Sequence, residues 1–222
     1  MDIQQYIALD KELLLNLNGS NSLFWDGFMW VATSTYIWIP TAIILLYIII
    51  KNNKIQETLL TIAMIALVIT LADQIASGVC KPYFHRFRPT QDPDIMYIVD
   101  IVNGYRGGRF GFISSHAANT FGLAFFVWFL FRKRWLTVFM MGWALLTCYS
   151  RVYLGVHYPG DLIAGTLVGL IAAYIVYRLF LKVSGYKTMK KVPHIYAPIL
   201  VGGLTIVGIL IYSTVMILQA QN

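Results

Sequence analysis

The chain has 222 residues, of which 58% are hydrophobic and only 12% charged, with a formal net charge of +7. Soluble domains typically carry about 25% charged residues, so this composition, with a mean hydropathy of +0.66, excludes an ordinary soluble domain. The positive balance does not indicate nucleic acid, because no basic-aromatic platform accompanies it; Lys and Arg gathered in loops on one side of a membrane account for it.

Residues 1–18 hold acidic side chains, no basic n-region and no small-residue cleavage site, so they do not read as a cleavable signal. Residues 10–17 are expected to form a short interfacial helix carrying Leu13, Leu14 and Leu17. Six spans follow, of the kind a helix of about 20 apolar residues makes when it must satisfy its own backbone in lipid. The first is expected at 36–50, extendable toward Leu23 past a break at Pro40. The others are expected at 59–79, 115–131, 135–153, 161–181 and 195–218. Trp25, Trp30, Trp38 and Trp135 lie near the proposed ends, as interfacial anchors do. No repeat, low-complexity tract or linker interrupts the chain. The expectation is therefore a single domain over 1–222: an all-α polytopic membrane bundle of about six transmembrane helices with an interfacial N-terminal helix. Cys80 and Cys148 have neither framework nor metal-binding spacing and read as two small buried thiols.

Loop charges orient the bundle. Lys51, Lys54, Arg132, Lys133, Arg134, Arg178, Lys182, Lys187, Lys190 and Lys191 fall on one side, ten of the seventeen basic residues. Positive-inside places that side in the cytoplasm. The other loops and both termini then face the periplasm or exterior, from an inner (cytoplasmic) membrane. The longest connection, 80–114, falls on the outer side, and long loops in compact proteins are usually functional or disordered.

Three clusters lie on this outer side. The first holds Lys81 and Arg88-Pro89 as K-x6-R-P; the second is Ser114-Ser115-His116, opening the third span; the third is Ser150-Arg151, then His157, then Asp161. Arg88 and Arg151 can grip phosphate oxygens with paired hydrogen bonds, and Lys81 adds a compact charge. Ser114 and Ser115 sit at a helix start, where free backbone N–H groups and the positive dipole end favour an anion. A neutral imidazole attacks phosphorus when its other nitrogen is held by a hydrogen bond. Asp161, four residues beyond His157, is placed to accept that bond. His116 is the candidate to protonate the leaving oxygen and then activate water, while the cations stabilise charge on the equatorial oxygens.

These motifs, K-x6-R-P, S-x-H and S-R-x5-H-x3-D, resemble those of the type 2 phosphatidic acid phosphatase superfamily, which includes bacterial non-specific acid phosphatases and vanadium-dependent haloperoxidases. The resemblance covers Lys81 to Asp161. It implies a helical-bundle core with His157 as nucleophile, Asp161 as its partner and His116 as acid/base. It also implies that Lys81, Arg88, Ser114, Arg151 and the backbone N–H of Ser115 hold phosphate, with no metal and no cofactor. One departure is Ile113-Ser114-Ser115-His116 where the family commonly has Pro-Ser-Gly-His. Ser keeps the backbone donor, so the activity expectation stands.

Other polar residues have ordinary readings beside functional ones. His157 and Asp161 could ligate a metal, but the surrounding cations repel a divalent ion. His85 reads as a surface histidine near lipid headgroups, and His194 as a loop histidine. Asp73, inside the second span, reads as a partner that orients a basic residue, with a direct catalytic role as the alternative. Arg106 and Arg109, in a glycine-rich stretch, are candidates for headgroup contact or belong to a mobile surface loop.

The expected function is a metal-independent lipid phosphatase of the bacterial envelope. Its substrate would be a lipid A phosphate or undecaprenyl diphosphate, with phosphatidic acid or phosphatidylglycerol phosphate as the alternative. A vanadium haloperoxidase-like enzyme and a non-catalytic transporter rank lower. A transporter usually shows repeats or broken helices about a midplane site, whereas these charged motifs cluster at one interface. The expected partners are the membrane lipid substrate and the bilayer, with no nucleic acid.

Overall fold

The computed structural model describes residues 2–185 and 192–220. Lys187, Lys190 and Lys191, counted above among the cytoplasmic charges, lie outside the described residues.

Helix α1 spans Ile3–Leu17 and begins well before the expected residue 10. Its start is set by a reciprocal cap. The Asp2 carboxylate accepts the Gln4 and Gln5 N–H groups at 2.5 and 3.2 Å, and the Gln5 side chain accepts the Asp2 N–H at 3.0 Å. Leu14 is fully buried, while Tyr6, Leu9, Leu13 and Leu17 keep apolar surface outside the bundle.

The first expected span is two helices, α2 (Leu23–Ala32) and α3 (Ile39–Asn52), joined by a 3-10 turn at Thr35–Trp38. The break therefore precedes Pro40, which sits in the first turn of α3, where its missing N–H leaves nothing unpaired. The Trp38 indole N–H donates to the Ala32 carbonyl at 2.9 Å and straps the break. Helix α4 (Ile55–Asp73) continues through a π-helical turn, Gln74–Cys80, into α5 (Lys81–Phe84). Helices α6 (Ser115–Phe131), α7 (Arg134–Tyr153), α8 (Pro159–Ser184) and α9 (Ala197–Ala220) complete the bundle. All six expected spans are present as helical segments, and the only β-type pairing among the described residues is a single bridge.

Among the described residues, four segments are long and apolar enough to cross a membrane: Thr35–Asn52, Ile55–Phe84, Pro159–Ser184 and Ala197–Ala220. Helix α6 is apolar but only 17 residues long, and α7 carries Arg134, Thr137, Thr147, Ser150 and Arg151 along its length. Outward faces are apolar, as on α8 at Ile163, Leu167 and Ile171 and on α9 at Leu200, Leu204 and Ile211. So much exposed hydrocarbon on a bundle marks a surface that meets lipid rather than water.

Helix α6 packs along α8, α7 and α4, and α9 covers α2 and α3. The α6–α8 seam is built from small residues that let the backbones approach. A Cβ at Gly169 would lie 2.5 Å from the Ala118 carbonyl oxygen, and one at Gly165 would lie 2.5 Å from that of Ser114. This close seam brings the start of α6 against the start of α8, where the Ser114 N–H donates to the Asp161 carbonyl at 3.1 Å. Cys148 is buried and Cys80 half-buried, and neither forms a disulfide.

Candidate active site

The loop after α5 is ordered by a short antiparallel pairing. The Arg88 N–H donates to the Arg109 carbonyl at 3.1 Å and the Gly111 N–H to the Arg86 carbonyl at 2.9 Å, flanking the Phe87–Phe110 bridge. Extended backbone sends alternate side chains to the same side. Phe87 therefore meets the Phe110 ring, 5.6 Å away, while Arg86 and Arg88 both turn toward the α7–α8 connection.

That connection carries the histidine. Gly155 takes φ +66°, and the Val156 N–H returns to the Arg151 carbonyl at 3.1 Å, turning the chain so that His157 points inward just before α8. His157 and Asp161 are both 0% exposed. His157 Nδ1 lies 3.2 Å from Asp161 Oδ2, which also accepts the Tyr158 N–H at 3.1 Å. With a carboxylate accepting, Nδ1 carries the proton and Nε2 keeps a lone pair. Arg88 Nη1 is 3.1 Å from that Nε2 and also donates to the Val156 carbonyl at 3.0 Å, while its Nε donates to the Phe110 carbonyl at 3.2 Å. Burial, followed by the charges of Arg88, Arg151, Lys81 and Arg86, holds the His157 imidazolium pKa well below the ordinary histidine value. His157 is thus a neutral ring at neutral pH.

At the start of α6, the Ser114 hydroxyl accepts the Ala117 N–H at 3.4 Å, so it serves as the helix cap. Lys81 Nζ donates to the Ser115 hydroxyl at 3.1 Å and to the Ser77 hydroxyl at 3.0 Å. Asp73 accepts from the Ser77 hydroxyl, 3.5 Å away, and from the Asn119 amide at 3.3 Å, and its charge also acts directly on Lys81. Its place is that of an orienting partner. Arg151 is 3% exposed; its Nη1 donates to the Thr33 hydroxyl at 2.9 Å and its Nη2 to the Tyr105 hydroxyl at 3.1 Å. The buried Arg151 Nε has no partner in the described structure, a donor left over for an acceptor at the site.

His116 lines two cavities of about 600 and 580 Å³, and Arg151 lines the second. His157 lines neither.

The structure gathers His157, Asp161, Arg88, Lys81 and Arg151 around one centre, with Ser115 joined to it through Lys81. Arg106 and Arg109 are placed differently. Arg106 donates to the Thr90 carbonyl at 3.0 Å and accepts the Thr90 hydroxyl at its own carbonyl at 2.6 Å, which braces the loop. Arg109 is exposed and lies over the Phe87 and Phe110 rings, 5.3 and 5.4 Å from their centroids. His85 is exposed and stacks edge-on with Phe110, as its ordinary reading expects.

Two further residues belong to the site although their roles were not read from the sequence. Arg86 donates to Asp161 Oδ1 at 2.8 Å and to Asp10 Oδ2 at 2.7 Å, and stacks on the Tyr158 ring at 4.1 Å. Asp10 on α1 also accepts the Gly160 N–H at 2.7 Å. Lys11 completes the clasp through Asp92, which accepts the Tyr158 hydroxyl at 2.7 Å. Burial alone raises the Asp92 pKa, but the Tyr158 and Lys11 hydrogen bonds outweigh it and hold the carboxyl below its ordinary value. The period-two spacing of Arg86 and Arg88 is a signal that could have found the former; nothing in the α1 sequence singles out Asp10.

The chain and its fold have relatives elsewhere. A family model described as the PAP2 superfamily matches residues 62–184. The chain is 44% identical over 216 residues to a lipid A 4'-phosphatase of Bacteroides thetaiotaomicron, covering 93% of this chain and 96% of that protein. It is 35% identical over 179 residues to a lipid A 4'-phosphatase of Porphyromonas gingivalis, covering 81% of this chain and 76% of the relative. Its fold is similar to the crystal structure of a transmembrane PAP2-type phosphatidylglycerolphosphate phosphatase from Bacillus subtilis. That likeness has a TM-score of 0.63 at 20% identity and covers 82% of this chain and 90% of the other. With its bundle, its matched segment and its relatives in agreement, the chain belongs to the PAP2 superfamily.

Proposed function

We propose that this chain is a membrane lipid phosphatase that removes phosphate from a lipid A phosphate through a phospho-histidine intermediate. The observation that carries the reaction is the buried His157–Asp161 pair, whose Nε2 lone pair faces Arg88. The lipid A assignment, over undecaprenyl diphosphate, rests on the two lipid A 4'-phosphatases at 44% and 35% identity.

In the first step His157 Nε2 forms a bond to phosphorus as the bond from phosphorus to the lipid oxygen breaks, and His116 gives that oxygen a proton. Asp161 stabilises the charged ring, while Arg88, Lys81 and Arg151 balance the phosphoryl oxygens. Ser114 and Ser115 contribute at the α6 N-terminus, where backbone N–H groups favour an anion. In the second step water attacks phosphorus, its proton passes to His116, and the N–P bond breaks to release phosphate and restore both histidines. No step calls on a metal ion or a cofactor.

The bundle sits in the inner membrane with this site on the periplasmic side. Support comes from Lys51, Lys54, Arg132, Arg134 and Lys182 at the opposite end. Headgroup contact by Arg106 and Arg109 stays part of the reading: both are exposed, Arg106 while its Nη1 braces the loop and Arg109 while it lies over Phe87 and Phe110.

The test is phosphate release by purified protein from lipid A, undecaprenyl diphosphate, phosphatidic acid and phosphatidylglycerol phosphate, beside His157→Ala. Release from lipid A that vanishes in the variant is expected. Release from undecaprenyl diphosphate alone overturns the substrate, and activity surviving in His157→Ala overturns the nucleophile.

A further inference from the structure

Helix α1 shows three faces. One turns to the core, where Leu14 is fully buried in the same apolar cluster as Ile95, Val99, Tyr158 and Leu162. A second is polar, with Gln5, Glu12 and Asn16 exposed. The third carries Tyr6, Leu9, Leu13 and Leu17, all exposed, at the three- and four-residue spacing that puts side chains on one side of a helix.

The segment 92–100 runs beside α1 and is tied to it at both ends. Lys11 Nζ meets Asp92 Oδ2 at 3.0 Å and Asp94 Oδ2 at 2.6 Å. Asn18 accepts the Asp100 N–H at 2.7 Å and donates to the Asp100 carbonyl at 3.1 Å. Ile95 and Val99 are buried, while Tyr97 and Ile98 are 85% and 66% exposed. Helix and segment together cap the start of α8, through Asp10 on the Gly160 N–H and Asp92 on the Tyr158 hydroxyl.

This cap lies where the lipid-facing surface begins. Ile163, three residues beyond Gly160, opens the outward apolar face of α8. The α1 stripe therefore continues a surface already turned to hydrocarbon. Charge narrows the partner further. The exposed charged side chains of the cap, Asp2, Glu12, Asp94 and Asp100, are all acidic. Attraction to the surface comes from apolar burial, as for a helix lying in the plane of a bilayer, and not from a basic patch on anionic lipid.

We propose that the α1 cap docks on the lipid surface at the active-site side, and that this seating holds the Asp10–Arg86–Asp161 chain that orients His157. The bilayer is then part of the brace behind the nucleophile. When α1 lifts from the lipid, Asp10 leaves Arg86 and Gly160, and Asp161 loses the far support of its ion pair. The effect on turnover rests on the phosphatase reading, whereas the seating of α1 does not.

The test uses the full chain in phosphatidylcholine nanodiscs loaded with one copy each, so that a second copy cannot cover the stripe. Leu9→Gln/Leu13→Gln removes apolar surface at two exposed positions and keeps the helix propensity of leucine. Amide hydrogen exchange is followed by mass spectrometry in α1, in the peptide carrying the Gly160 amide and in α9 as a control. Exchange in α1 and at Gly160 should quicken about tenfold in the variant, as local opening becomes easier, with α9 unchanged. Its kcat on lipid A should fall about tenfold with KM unchanged, the signature of a misplaced catalytic group. Asn16→Ser, on the polar face, should alter neither. Equal exchange in wild type and variant overturns the lipid contact, and faster exchange with full kcat overturns its link to His157. A wild type that releases phosphate from no lipid overturns the phosphatase reading, while exchange at Gly160 still decides the seating.

Discussion

Arg88 Nη1 stands 3.1 Å from His157 Nε2, directly against the lone pair of the proposed nucleophile. A phosphorus atom must approach that nitrogen to about 3–3.5 Å, so the guanidinium has to turn from the ring to a phosphoryl oxygen as substrate enters. The planar fork of Arg serves both positions, whereas a Lys ammonium cannot hold two oxygens at once. Arg88→Lys is expected to lower kcat/KM on lipid A by about 10²–10³-fold and to weaken vanadate inhibition. Steady-state kinetics check this, and unaltered vanadate inhibition contradicts a phosphate contact.

Burial and four neighbouring cations depress the His157 pKa. The sign follows directly: a depressed pKa keeps the ring neutral at the ordinary histidine value of about 6.5 and protonates it only at lower pH. The His157 imidazole signals in nitrogen-15 NMR of substrate-free protein, assigned with His157→Gln, should remain those of a neutral ring as pH falls through about 6.5. Titration at or above the ordinary value would show that the site is open and its cations distant.

Asp161 has no solvent of its own and depends on Arg86, which in turn is anchored by Asp10. Arg86→Gln leaves the carboxylate short of a partner and is expected to destabilise the protein by about 1–3 kcal/mol. It should also lower kcat more than it raises KM, because it disturbs the group that orients the nucleophile and not the lipid. Asp10→Asn should have a smaller effect, and the double variant should fall short of the sum of the singles, as expected of residues in one network. Thermal unfolding and kinetics of the three variants provide the check; strict additivity contradicts the chain from α1 to Asp161.

The four cations around His157 repel a divalent metal ion, and the phosphoryl oxygens have cationic partners in Arg88, Lys81 and Arg151. Activity is expected to persist in EDTA. Loss of phosphate release in EDTA, restored by a divalent ion, contradicts the metal-independent mechanism.

What was legible in the sequence was what repeats over long stretches or concentrates in spaced motifs. The helices at the six expected places were readable because bilayer length and backbone satisfaction leave few alternatives, although only four segments among the described residues are long and apolar enough to cross. Lys81, Arg88, Arg151, His157 and Asp161 were readable as a group because the expected phosphoryl chemistry asks for cations beside a histidine–carboxylate pair, and the structure brings them around one centre. Local geometry was harder. The break in the first span follows the 3-10 turn strapped by Trp38, and Pro40 merely begins the next helix. The start of α1 depended on the Asp2–Gln5 cap, a short-range signal without an apolar run to flag it. The hold of Arg106 on the Thr90 carbonyl was not legible, because the glycines around it carry no signal of that partner. Asp10 was invisible because its value to the site lies in a contact across 76 residues to Arg86.

In the proposed reaction the phosphoryl group passes through His157. The most direct measurement is rapid chemical quench of the purified protein with radiolabelled lipid A, followed by analysis of the protein-bound label. A base-stable, acid-labile phosphoryl group is expected on His157 during turnover, and none in His157→Ala. Phosphate release at full rate with no label on His157 at any time would contradict it.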